Sequence, residues 1–155
     1  MYFPIKVYKV NNNNIDDFDT EKVALLIVVK QSEYVEDEAK SFIEKLKIAC
    51  ENKIKGLAIQ EHNTAEILAL KRRILLQKWC ERYNITIVLL FGVQGNNVGL
   101  NFILNPFEYI KINNVWYIFF PDIKTVRSDT INRTFEKKLW NIVSEKIDDI
   151  YKSKH

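Results

Sequence analysis

An α/β fold, three layers with a four-stranded, mainly parallel sheet between helices, is what this sequence predicts. Two observations carry the prediction. Three short runs, VALLIVV at 23–29, ITIVLLF at 85–91 and VWYIFF at 115–120, are apolar at nearly every position, as strands covered on both faces are. Between and after them lie stretches whose apolar residues recur with helical spacing, and strands alternating with helices make a layered, parallel sheet with right-handed crossovers. At 155 residues the chain is long enough for one domain, 21–155, behind an N-terminal arm or edge strand at 1–20.

The arm, YFPIKVYKV, alternates Ile5 and Val7 and then shifts phase, and NNNN at 11–14 reads as a loop that separates it from the rest. After the first strand, Val35, Ala39, Phe42, Ile43, Leu46, Ala49 and Cys50 form one stripe of a helix with Glu36, Asp37 and Glu38 in its first turn, where the helix dipole favours carboxylates. Lys53 and Gly56 are its stop signals. IKGLAIQE, 54–61, reads as a second strand, and Asn63 or Thr64 as the cap of a long helix to about Tyr83, with Ile67, Leu70, Ile74, Leu75 and Trp79 inward. The third strand ends at Gly92, a loop-rich stretch follows, and Pro121 stops the fourth. An amphipathic helix over about 129–152 closes the chain, with Phe135, Leu139, Ile142, Val143, Ile147 and Ile150 on one side.

Composition narrows the function classes. With 23 basic and 20 acidic residues the net charge is +3, which does not by itself call for a nucleic-acid partner. The basic run Lys71, Arg72, Arg73 falls inside the expected long helix, where nearby glutamates would make it a solvated face. No apolar run is long enough to span a bilayer and no secretory leader is visible, so a cytoplasmic location is expected. The two cysteines, Cys50 and Cys80, fall among apolar residues and read as small core hydrophobes.

Three of the four glycines crowd into LFGVQGNNVGLNF, which raises the question of a phosphate cradle. The spacing is GxxGxxxG, after the third strand, with neither a helix start nor a Lys-Ser/Thr pair behind it. Dinucleotide and P-loop sites need those features, so the glycines read as a turn. A ligand edge at the C-terminal ends of the strands would involve Gln31, His62, Gly92 and Asp122. No metal-ligand cluster, cofactor motif or nucleophile elbow accompanies them, so neither metal nor cofactor is expected, and Asp122 has the simpler reading of a turn cap.

The order of motifs resembles that of bacterial DNA polymerase III psi-subunit-like proteins. The matching pieces are FIEKLKIA at 42–49, the stretch 57–63 ending on Asn63, LFG at 90–92, PDIKTV at 121–126 and KKLW at 137–140. They span roughly residues 22–145. The resemblance implies a fold similar to that of uracil-DNA glycosylases without their chemistry, since KQSEY and PDIKTV stand where such enzymes carry their catalytic loops. It also implies a non-enzymatic accessory subunit that bridges the collar of the clamp-loader motor subunit to a chi-like partner, with weak direct contact to nucleic acid at most and none to membrane. Its collar anchors, by position, would be Tyr2, Phe3, Ile5 and Val7. The alternative is a glycosylase-like or nucleotide-binding enzyme working at the Gln31, His62, Gly92 and Asp122 edge. The KRR run has no counterpart in the family pattern, the second helix is longer and more charged than that pattern, and the arm is short for the region that carries the family's clamp-loader contact.

Overall fold

The structure, a computed structural model, describes residues 22–57, 64–128 and 133–151. In chain order the elements are β1 (Val23–Lys30), α1 (Asp37–Leu57), β2 (Thr64–Leu70), α2 (Leu76–Tyr83), β3 (Ile87–Phe91), a 3-10 turn (Gly95–Val98), β4 (Tyr109–Ile112), β5 (Val115–Phe120), α3 (Ile123–Ser128) and α4 (Thr134–Tyr151). The sheet has five strands in the order β2-β1-β3-β5-β4. The first four are mutually parallel, and β4 runs antiparallel on β5. The class is therefore α/β as expected, with one strand more.

β1 is the axis of the sheet. Leu26 faces Glu66 of β2 on one side and Val88 of β3 on the other, and Val23 to Val29 are all at most 2% exposed. Alternate residues feed two cores. Leu25, Ile27, Val29, Leu89, Phe91 and Phe120 pack under α1, α3 and α4. Leu26, Val28, Val88, Leu90 and Tyr117 pack under α2 and the loop that carries Val98 and Phe102.

Three expectations need correction. Residues 54–57 are not a strand but the last turn of α1. Ile54 continues the buried row Ala39, Ile43, Leu46, Cys50 at helical spacing, and the helix runs through Gly56, whose added freedom costs about 1 kcal/mol relative to alanine. Residues 58–63, His62 and Asn63 among them, lie outside the described residues. The long helix expected to follow is a strand, a turn and a short helix. TAEILAL is made of good helix formers, yet it takes the open edge of β1, pairing from Thr64 to Leu70. Ala65, Ile67 and Ala69 then reach one core while Leu68 and Leu70 reach the other. Of the side chains expected inward, Trp79 is buried, but Leu75 is 53% exposed.

The third correction concerns the C-terminal half. The loop-rich stretch holds β4, joined to β5 by Asn113 and Asn114, both left-handed (φ 51° and 66°), the geometry of the tightest hairpin turns. The closing helix expected over about 129–152 is α4, and a further short helix, α3, precedes it directly after β5, with 129–132 outside the described residues. α4 carries Leu139, Val143 and Ile147 into the core. Its Lys146 is only 5% exposed, with Nζ 4.0 Å from the Tyr109 ring, 4.3 Å from the Trp116 ring and 3.7 Å from Asp149 Oδ2. A cation between two π faces thus fastens α4 to the β4–β5 hairpin.

The reassignment of Ile54 is open to measurement. As a fully buried helix residue, Ile54→Ala should cost about 3 kcal/mol in urea unfolding. A loss under about 1 kcal/mol would mean that its side chain is not in the core.

Candidate functional site

Parallel strands set where a site can form. The chain leaves β1 for β2 on one side, then returns over β1 to β3 on the other. The C-terminal ends of β1 and β3 therefore flank a topological switch point, where open α/β sheets leave a crevice. Gln31, Gly92 and Asp122 follow β1, β3 and β5 at that edge, as expected. Gln31 is tied to the neighbouring strand end through its N–H to Leu70 O, 3.0 Å. His62 is outside the described residues, and the strand that was to deliver it is helical where described.

The glycines at this edge are filled by their own chain. Gly92 is left-handed (φ 67°), and a Cβ there would stand 3.0 Å from Asp122 Cβ. Its N–H donates to Phe120 O at 2.9 Å. A Cβ on Gly95 would meet Phe102 O at 2.8 Å, and one on Gly99 would meet Leu75 Cδ2 at 2.8 Å. Gln94 clamps the loop with its side chain, donating to Leu104 O (2.9 Å) and accepting from Leu104 N–H (3.0 Å). The amides of Asn97 and Leu100 donate inward to Gln94 O and Gly95 O. A phosphate cradle presents its amides to the ligand, whereas these are spent on the loop. The glycines permit close packing.

A pair of carboxyl groups, not singled out as a pair in the sequence, sits beside this turn. Glu33, in the loop after β1, is raised above the usual carboxylate value, chiefly by burial and then by the negative charge of Asp122. The Ile123 backbone N–H and Lys30 oppose that rise. Glu33 Oε1 is buried without a hydrogen-bond partner among the described residues. Asp122 is lowered, first by its hydrogen bonds with Thr125 and also by Lys30. Its Oδ1 accepts from Thr125 N–H at 2.9 Å, so it caps α3 as an N-terminal aspartate does. One carboxyl is thus biased towards protonation beside another held ionised, the arrangement from which acid–base pairs are made. The adjoining open cavity, about 400 Å³, is lined by Ser32, Glu33, Glu36, Lys124, Arg127 and Ser128 among others. Arg127 is engaged by Glu38 at 3.1 Å. Glu33 was missed because its neighbour in space, Asp122, is almost ninety positions away, and QSEY carries no motif.

Both cysteines are buried. Burial pushes the Cys50 thiol up to about 12 and the Cys80 thiol to about 11, far from the reactive thiolate range. Among the described residues no group of three or more His, Cys, Asp or Glu side chains is placed to hold a metal ion. Among them, too, no helix is long and apolar enough to cross a membrane. Tyr2, Phe3, Ile5 and Val7 lie outside the described residues.

The two carboxyls should respond to pH in opposite senses. Asp122, lowered on folding, contributes stability that is present above its unfolded value and lost as pH falls through the folded one. Glu33, raised on folding, contributes stability that is present below 4.5 and lost as pH rises through its folded value. Glu33→Gln should therefore raise the melting temperature at pH 7 by roughly 1–3 °C and leave it unchanged in acid below that range. Asp122→Ala, which removes the cap, should cost about 1 kcal/mol at pH 7. Thermal melts across pH check both, and a Glu33→Gln protein less stable than the parent at pH 7 would overturn the account of the pair.

The chain matches no protein-family model, and no curated protein matches it in sequence.

Proposed function

We propose that this chain is a psi-like accessory subunit of the DNA polymerase III clamp-loader assembly, a bridge and not an enzyme. One observation supports the reading above others. The motif residues that carry the resemblance are distant in sequence and packed together in space. Phe42 of FIEKLKIA meets Phe91 of LFG edge to face, with ring centroids 6.4 Å apart. Gly92 of LFG packs on Asp122 of PDIKTV. Ile123 and Val126 of PDIKTV and Leu139 of KKLW complete the same core, with Trp140 against it. Such residues are the ones a shared architecture would keep. The piece at 57–63 fits less well, since Leu57 is helical.

In this reading the folded domain is a platform and the arm at 1–20 is the tether. Tyr2, Phe3, Ile5 and Val7 anchor on the collar of the clamp-loader motor subunit, and the domain carries a second, chi-like partner. A short peptide that orders on binding holds modestly alone. Two linked contacts hold far better, because the second is made at high effective concentration.

A second reading has the Glu33–Asp122 pair in its favour. A split carboxyl pair beside an open cavity could serve a base-excising or related hydrolase. Glu33, Glu36 and Glu38 in the lining oppose a phosphate-rich ligand, which weighs against nucleotide binding.

A pull-down from the native cytoplasm separates the two. The full chain should recover the clamp-loader motor subunit, and a chain lacking residues 1–10 should not. Recovery of no replication protein by the full chain would sink the bridge. Base release from uracil-containing DNA that disappears in Asp122→Asn would favour the enzyme.

A further inference from the structure

β2 is an outer strand of the sheet, and its outer edge is open. Gln31 N–H donates across to Leu70 O at 3.0 Å. Leu70 and, by alternation, Leu68 and Glu66 therefore turn their backbone polar groups to β1. Ala65, Ile67 and Ala69 turn theirs away. The Ala65 N–H is met by Glu51 Oε2 at 3.2 Å. The N–H and C=O groups of Ile67 and Ala69 have no hydrogen-bond partner among the described residues. The side chains are open on the same flank. Ile67, Leu68, Ala69 and Leu70 are apolar but only half-buried, whereas β1 is at most 2% exposed from Val23 to Val29.

Edges that stay unpaired carry proline, lysine or a bulge on the open side. Thr64–Leu70 contains neither proline nor lysine, and the irregularity in its pairing lies against β1, between Val23 and Leu25. Those devices stand instead in the strip PIKVYKV at 4–10. Pro4 precedes a β-prone run, and Lys6 and Lys9 interrupt it. In composition β2 is an inner strand and the strip an outer one.

We infer that residues 5–10 pair antiparallel with the outer edge of β2, as the sixth strand of the sheet. Residues 1–21 lie outside the described residues, but the point from which they reach is fixed. Thr64 Oγ1 donates to Lys22 O at 3.3 Å, so the arm joins the described fold at the N-terminal end of β2. For an antiparallel strand the loop at 11–21 spans only the two strand spacings from β1 across β2, about 10 Å. Its eleven residues extend to about 35 Å. A parallel strand would end at the far end of β2 and oblige the loop to run back beside it. Tethering selects the occupant. A linker of this length holds the strip at an effective concentration on the order of millimolar, which a second copy of β2 or a foreign strand does not reach in dilute solution. The pairing does not rest on the clamp-loader reading. Where both hold, β2 and the collar compete for Ile5 and Val7, and the arm binds the collar only by leaving the sheet.

The test is NMR on the unaltered full chain. Antiparallel Hα–Hα and amide–amide contacts should connect residues 5–10 with 67–69. The Ile67 and Ala69 amides should exchange with solvent as slowly as that of Leu68, which faces β1. A full chain with Val7→Pro and Tyr8→Pro alters two adjacent positions, one of which must face β2. There the Ile67 and Ala69 amides should exchange at least about tenfold faster, while Leu68 keeps its protection and shows that the variant is folded. The contacts in the unaltered chain need no variant. Their absence, free exchange at Ile67 and Ala69 in the full chain, or protection that survives the two prolines would each overturn the pairing. Protection that rises with protein concentration as a dimer forms would also overturn it and give the edge to a second copy.

Discussion

Everything in this fold depends on β1 being paired on both sides and dry on both faces. A strand in that position satisfies its backbone through two parallel ladders, and its seven buried side chains divide between two cores. The two helical layers exist because both faces must be covered. The crossover that puts β2 and β3 on opposite sides of β1 opens the crevice at the strand ends, so the site is a by-product of that pairing. What fills the crevice is then local. Asp122 packs on Gly92, Phe102 on Gly95 and Leu75 on Gly99.

The legible parts of the sequence were those where one pattern had no rival. VALLIVV, ITIVLLF and VWYIFF are too short and too β-branched for anything but buried strands, and they became β1, β3 and β5. TAEILAL was misread because its residues favour a helix in isolation, and only the vacant edge of β1 decides otherwise. Its apolar residues fit period 2 as well as they fit a helix, so pattern alone could not separate them. The hairpin at Asn113–Asn114 was hidden for a different reason. Paired asparagines supply the same left-handed turn as Asn-Gly, but without glycine the signal is weaker.

The candidate site was legible in its negative part. Glycine spacing argued against a phosphate cradle, and the inward-turned amides agree. The Glu33–Asp122 pair was not legible, because it is made by residues far apart in sequence.

The strand order also shapes how the protein is made. β1 leaves the ribosome before either of its partners, and β3 follows it only after some sixty more residues. Until β2 emerges VALLIVV, uncharged and β-branched, is an unpaired strand of the kind that joins to other chains, and its second edge stays open until β3. Parallel pairing across such separations is slow. α1, which can form locally and lays its apolar row on Leu25, Ile27 and Val29, is the first element able to shield the nascent strand. Its early helicity therefore bears on the yield of soluble chains as well as on the finished fold.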